Sequence, residues 1–405
     1  MIGTPLTRPA NAAPLSIFLA FLRLGLTSFG GPVAHLGYFR ETFVVRKRWL
    51  DEARYSDIVA LCQILPGPAS SQTGMMIGLA RGGIRGALAA WLGFTLPSAV
   101  LMIACAYGIA LVGTGADMRW LRGLEIIAVA VVAQAVFGMA RMMCPDRPTI
   151  LIALLSAAVA LTLPGAAGQN LVLILAATTG YGLYRNRLAA RPPTATMIDV
   201  GKSTGLAALA LFVALLLGLP LLHVATGSSA VGLFASFYRA GALVFGGGHV
   251  VLPLLAAETV AKGAVTHDNF LAGYALAQAV PGPLFTVAAY LGVLMSDGPQ
   301  RWLGGALALI AIFTPSFLLI VGVAPFWLRW GQRSDIRAAL TGVNAAVVGL
   351  LVAALYTPLA TSAIHGAADV ALTALAFLLL TRFAVPAWLL VGLTLLGWRV
   401  FTIGG

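Results

Sequence analysis

The chain has 405 residues, of which 60% are hydrophobic and only 9% charged, against roughly 25% charged in an ordinary soluble domain. Mean hydropathy is +0.95, and 25 basic against 13 acidic residues give a formal charge of +12. So few ionic side chains cannot cover a water-facing surface of this length, which excludes a soluble enzyme, a nucleic-acid-binding protein and a disordered chain; the excess of Arg fits the basic cytoplasmic loops of a membrane protein.

In chain order, the residues before Pro14 show no charged run followed by an apolar core, so no removable signal peptide is expected. Pro14 to Phe29 is an apolar run that stops at Gly30-Gly31-Pro32. A basic segment from Arg40 to Arg54 follows. Tyr55 to Leu65 is then interrupted by Pro66-Gly67-Pro68 before the apolar run resumes to Leu79. Gly86 to Val112, Trp120 to Ala140, Thr149 to Leu163 and Asn170 to Tyr184 read as spanning helices. Arg185 to Lys202, with four basic residues and Pro192-Pro193, reads as a linker. Beyond it come Gly205 to Val224, then Gly232 to Phe245 stopping at Gly246-Gly247-Gly248. Phe270 to Val280 is interrupted by Pro281-Gly282-Pro283 and resumes to Met295. Leu303 to Leu328, Ala338 to Tyr356, Gly366 to Thr381 and Val385 to Val400 complete the spans. Pro-Gly-Pro cannot lie inside a regular helix, because proline lacks the backbone donor and clashes with the preceding turn. The flanking pieces are each about half a bilayer long at 1.5 Å per residue.

These features repeat. Phe21 to Gly31 aligns with Phe237 to Gly247 with six identities in eleven, and Ala60 to Pro68 with Ala275 to Pro283 with six in nine. The offsets are 216 and 215, and Pro97-Ser98 and Pro315-Ser316 continue the register. The matched residues include Arg, Gln, Gly and Pro and not only the abundant Leu and Ala. Two homologous halves, 1–200 and 201–405, are therefore expected. If the interrupted elements are re-entrant, five crossings separate the repeat starts, so the second half is inverted. Eighteen basic residues then fall on one side and five on the other, which makes the first side cytoplasmic. If all four interrupted elements span instead, the inversion survives, but Arg40 to Arg54 and Arg185 to Lys202 land on opposite sides. The expected fold class is an all-α polytopic membrane protein of two inverted repeats with broken or re-entrant half-helices.

Arg23 and Arg239 sit at matching positions inside apolar segments. A guanidinium at membrane depth is costly and either faces a cavity or a partner, or snorkels to the interface. It offers five donors in a planar fork, which suits an oxyanion. Half-helices starting after each Pro-Gly-Pro place Ser70 and Ser71, and Thr286, at helix N-termini, where anions are favoured. Broken helices meeting at the midplane of an inverted repeat are a recurrent transporter arrangement; the plain alternative is a pair of kinks without a ligand. Gln63 and Gln278 precede the two tips by three residues and supply neutral donors. Gly30-Gly31 and Gly246-Gly247 either donate N–H groups to the same anion or serve as helix-crossing points. Glu41, Glu258, Glu125 and His249 are candidates for carrying a coupling proton; Glu41 and Glu258 equally suit pairing with an arginine. No metal-ligand spacing, nucleophile–base signature or phosphate-binding loop appears, and Cys62, Cys105 and Cys144 read as buried structural thiols.

The run from Phe21 through Arg23 and Gly25 to Phe29-Gly-Gly-Pro32, the segment Arg48-Trp-Leu-Asp-Glu52, and Leu61-Cys-Gln-Ile-Leu-Pro-Gly-Pro68 resemble the N-terminal half of the chromate ion transporter family. Phe245-Gly-Gly-Gly248, Pro253-Leu-Leu255 and Ala275 to Pro283 resemble its C-terminal half. The second half departs from the pattern in having Ala264-Val265-Thr266-His267 in place of the Trp-Leu-Asp-Glu run, and its second tip, Leu284-Phe285-Thr286, is less polar. The resemblance implies a multi-pass protein of the bacterial inner membrane that exports chromate and confers chromate resistance, with sulfate as the look-alike substrate. The alternatives are a proton-coupled sulfate or other oxyanion carrier, and a membrane enzyme acting on a phosphorylated lipid. A small inorganic anion and the lipid bilayer are the expected partners, with a homodimer as a further candidate, no nucleic acid and no cofactor.

Overall fold

A computed structural model of the chain describes residues 13–29, 31–112, 119–163, 166–187, 200–244, 251–327, 333–383, 385, 389–390 and 393. The described residues fold into helices joined by short turns, with no strand among them. Four helical stretches are long and apolar enough to cross a bilayer: Ala69–Ile109, Lys202–Thr226, Arg301–Val323 and Ser334–Thr357. Leu151, Leu154 and Leu155, and Leu206, Leu217 and Leu221, are exposed on helix faces, the pattern of a protein whose outer solvent is hydrocarbon.

The first half opens with α1 (Pro14–Thr27) and α2 (Gly31–Arg40). The chain goes in along α1 and comes back along α2 and its continuation. Phe39 and Phe43, which follow the turn, pack on Phe21 in the middle of α1 with ring centroids 5.6 and 4.7 Å away. A second hairpin follows, formed by α3 (Glu52–Ile64) and the start of α4 (Ala69–Val112). Asp51 caps α3 by accepting from the Arg54 amide. The hairpin also returns to its own side, because Arg81 stacks its guanidinium 5.3 Å from the ring of Trp49, just before α3. Sequence reading separates a half-helix ending near Leu79 from a span starting at Gly86. The structure joins them through a break at Gly82 and Gly83, whose backbone angles leave the helical region.

After α5 (Arg119–Met143), α6 (Arg147–Thr162) and α7 (Ala166–Tyr184), the chain continues into α8 (Lys202–Thr226). The second half presents α9 (Ser229–Ala242), α10 (Val251–Thr259), α11 (His267–Ala279), a 3-10 turn at Leu284–Thr286, α12 (Val287–Leu294), α13 (Arg301–Val323), α14 (Ser334–Ala354) and α15 (Ala367–Arg382). The hairpin of α11 and α12 closes on itself, with the Tyr290 hydroxyl donating to the Asn269 carbonyl at 3.0 Å. The run Val385 to Val400 lies almost wholly outside the described residues.

The part of α4 after the break and α13 run antiparallel. Trp91 meets Phe313 at 5.7 Å between centroids, and sixteen residues further along α4 the Tyr107 hydroxyl accepts from the Trp302 amide at 3.1 Å. α1 packs along α4, and α9 along α13. The Gly of each Phe-x-Arg-x-Gly run sits at that contact. A Cβ on Gly25 would lie 2.7 Å from the Phe94 carbonyl oxygen, and one on Gly241 would overlap the Ile312 carbonyl. α14 packs on α6 and α7, and α15 on α5, so helices from the two ends of the chain interleave.

Candidate anion site where two broken helices cross

Each Pro-Gly-Pro tip is anchored by the opposite half. Gly67 N–H donates to the Val244 carbonyl at 2.6 Å, and Gly282 N–H donates to the Ser28 carbonyl at 3.0 Å. Both glycines have positive φ, +125° and +111°, a region that side chains with a Cβ disfavour. The surroundings also leave no room. A Cβ on Gly67 would overlap Ser316 Oγ, and one on Gly282 would come 2.7 Å from Ser98 Oγ. The two Pro-Ser pairs noted in the sequence thus each cover the tip of the other half.

The first tip is polar. Gln72 Nε2 donates back to the Pro66 carbonyl at 2.7 Å, which leaves Oε1 directed elsewhere. The first intrahelical bond of α4 runs from the Gln72 amide to Pro68 O, so the preceding amides of Ala69, Ser70 and Ser71 lie in the turn whose N–H groups have no helical partner. Ser70, Ser71 and Gln72 are all buried. Among the described residues, Asp57 Oδ2, Arg81 Nε and Trp91 Nε1 are buried without a hydrogen-bond partner, and so are Ser28 Oγ, Ser71 Oγ, Gln72 Oε1, Thr95 Oγ1 and Ser316 Oγ, on residues at or beside the two tips. Buried polar groups are almost always partnered, and each orphan costs roughly 1–3 kcal/mol. Five orphans at the residues of one junction mark a place shaped for a polar ligand.

His35, on α2, is buried at this junction. Its Nδ1 lies 3.4 Å from Ser70 Oγ and its Nε2 3.2 Å from the Ser28 carbonyl oxygen. The second tip differs. The Thr286 hydroxyl is consumed by Pro283 O at 2.9 Å, and Leu284 and Phe285 are buried apolar residues. The two tips are therefore related in backbone and unlike in chemistry.

A cavity of about 860 Å³ opens beside the second half, lined among others by His223, Ser236, Arg239, Glu258, Lys262 and Asp297. Glu258 is the hub. It accepts from Lys262 Nζ at 2.5 Å and lies 3.1 Å from Arg239 Nη1, while Lys262 also reaches Ser236 Oγ at 3.3 Å. Arg239 lies five residues before Val244, whose carbonyl anchors the first tip.

The residues that the sequence singles out are dispersed in this structure. Pro66, Gly67, Pro68, Ser70, Ser71, Pro281, Gly282, Pro283 and Thr286 come together at the junction. Arg239 and Glu258 meet in the cavity. Arg23 lies exposed on α1, in line with the exposed Leu19 and Leu26, with no ion pair among the described residues. Glu41 pairs with Arg46 at 2.9 Å on an exposed surface. Gln63 and Gln278 are half-buried behind the tips, and Gln278 Nε2 donates to the Tyr274 hydroxyl at 2.8 Å. Gly31 begins α2 with φ +76°. Gly30, Gly246, Gly247, His249 and the Glu125 side chain lie outside the described residues. Ser28, His35, Gln72, Thr95, Ser98, Ser316 and Lys262 were not selected; the repeated Pro-Ser pair was the one signal that pointed at two of them.

A family model described as Chromate transporter matches residues 15–183 and, again, 231–398. The chain is similar to the chromate transport protein of Pseudomonas aeruginosa, with 30% identity over 86% of this chain and 82% of that protein. It is similar also to the chromate transport protein of Cupriavidus metallidurans, 29% identical over 84% and 80%. An uncharacterised transporter of Bacillus subtilis is matched over 93% of its own length but only 41% of this chain, at 30% identity. No solved structure matches the chain at a significant level.

Proposed function

The chain belongs to the chromate transporter family, and from that premise we propose that it exports chromate, a tetrahedral dianion, across the bacterial inner membrane and so confers chromate resistance. The halves 1–200 and 201–405 are inverted copies whose broken tips cross at mid-membrane. The observation that carries the reading is the set of five unpartnered buried polar atoms on residues at and beside the two tips. Four of them are hydroxyls, each with a hydrogen to donate. Together with the amides of that turn and its helix dipole they can bind a dianion without a fixed full charge. A site of neutral donors binds and releases, as transport requires.

Arg239 draws the anion into the cavity, where Glu258 holds the guanidinium until the anion displaces it. Arg23, its sequence counterpart on the exposed face of α1, serves the opposite approach. Gln63 and Gln278 stand behind the tips as neutral donors. Export follows from the membrane potential: a dianion leaving a negative interior gains about 4.6 kcal/mol per 100 mV. No covalent step is needed, and the solute leaves as it entered.

The test is flux of labelled chromate in proteoliposomes under an imposed voltage. Efflux should follow the voltage, and the chromate should emerge chemically unchanged. Competition by sulfate and molybdate measures selectivity. Flux indifferent to voltage and to protein would refute the reading.

A further inference from the structure

We propose that His35 couples proton binding to oxyanion binding at the junction, by deciding where the hydroxyl hydrogen of Ser70 points. The inference rests on the reading that the oxyanion binds at the first turn of α4.

His35 bridges the first tip and the carbonyl that anchors the second. Its Nδ1 faces Ser70 Oγ on the first turn of α4 at 3.4 Å. Its Nε2 faces the Ser28 carbonyl oxygen at 3.2 Å, the same oxygen that accepts from the Gly282 amide of the second tip. The ring is held edge-on against Phe94, with centroids 5.2 Å apart and planes at 90°.

The protons can be counted. A carbonyl only accepts, so Nε2 carries a hydrogen. In the neutral ring Nδ1 is then an acceptor, and the single hydrogen of Ser70 is spent on it. Ser70 turns lone pairs toward the helix N-terminus, the wrong polarity for an anion. In the protonated ring Nδ1–H donates to Ser70 Oγ instead. The Ser70 hydrogen is released and can point at the anion. One proton thus supplies a positive charge beside the site and one more donor inside it. Binding of the proton and of the dianion favour each other, and that reciprocity is required by linkage.

Little else competes for the ring. From α4 it meets Ser70 and Phe94, and from the end of α1 it meets Ser28. On α3 the titratable groups are Glu52, Arg54, Tyr55, whose hydroxyl donates to Leu36 O at 2.5 Å, Asp57, whose Oδ2 is buried without a hydrogen-bond partner, and the buried Cys62. At the far end of its own helix Arg40 pairs with Glu52, and Glu41 with Arg46. Among the described residues no carboxylate hydrogen-bonds to or pairs with His35, so the bound dianion is the counter-charge open to it.

The experiment is chromate binding to the purified protein in weak buffer at about pH 8, where free chromate is a dianion and an unperturbed imidazole is neutral. Wild type should take up protons as the anion binds, a fraction of one per anion that grows as the pH is lowered. His35→Gln keeps a donor and an acceptor at that place but cannot gain charge, so it should bind more weakly with no proton taken up. Ser70→Ala should keep the proton uptake and lose several-fold in affinity. Equal proton uptake by wild type and His35→Gln, or binding by wild type without any, would overturn the coupling. Should His35→Gln fail to fold, unchanged affinity in Ser70→Ala would overturn it alone. A wild type that binds no chromate fails earlier, on the oxyanion site itself.

Discussion

The amide of Gly67 donates to the carbonyl of Val244, 177 residues later, at 2.6 Å. The amide of Gly282 makes the matching bond to Ser28. Each broken tip is therefore held by the segment that ends the Phe-x-Arg-x-Gly helix of the other half. Neither half can complete its own tip, so the crossing point is a shared structure.

Gly67→Ala should abolish transport and Gly282→Ala should impair it. At positive φ an alanine costs roughly 1–2 kcal/mol, and the added Cβ at Gly67 would also overlap Ser316 Oγ. Thermal unfolding in detergent and chromate flux check both. Unchanged flux in Gly67→Ala would show that the tip geometry is dispensable.

Ser316→Ala and Ser71→Ala should separate stability from function. Each removes a buried hydroxyl without a partner, so unfolding temperature should stay level or rise. Each also removes a donor to a charged ligand, worth about 1.5–3 kcal/mol, or roughly ten-fold or more in affinity. Binding titrations beside melting curves read the two effects independently.

Glu258→Gln should lower the anion concentration needed for half-maximal flux several-fold. It frees Arg239 and Lys262 from the carboxylate they share. Arg239→Gln should raise that concentration instead. Flux measured across a range of chromate concentrations distinguishes these from general damage, which would lower maximal flux in both.

Asp146→Ala should destabilise the N-terminal end of α6 by about 1 kcal/mol, the usual worth of an N-cap. Asp146 caps that helix through the Thr149 amide and also accepts from the Tyr184 hydroxyl at 2.6 Å. The Thr149 hydroxyl first, and Tyr184 second, hold its carboxyl below the usual range. The stabilisation is then present above the unfolded value of about 3.9 and is lost as pH falls through the lower folded value. Melting curves of wild type and variant should converge only in strong acid.

The sequence revealed the breaks because proline and glycine act locally: Pro66-Gly67-Pro68 forbids a continuous helix wherever it occurs. It did not reveal what each tip touches, since Gly67 meets Val244 only through the antiparallel crossing of α4 and α13. The gap between Leu79 and Gly86 marks the break at Gly82 and Gly83, but not that α4 continues across it. His35 has no counterpart at the repeat offset, so the repeat does not point to it, yet it lies against Ser70 on the polar tip. Arg23 and Arg239 match in sequence but not in surroundings. α8 packs on α9 and α13, and its residues Pro220 and His223 help wall the cavity around Arg239. Arg23 stays on an exposed face.

The most direct measurement is the position of bound chromate, located by the anomalous scattering of chromium in crystals of the loaded protein. The peak should lie within hydrogen-bonding distance of Ser71 and Ser316, at the first turn of α4. A peak confined to the Arg239 cavity, or among the exposed arginines, with the junction empty, would contradict the account.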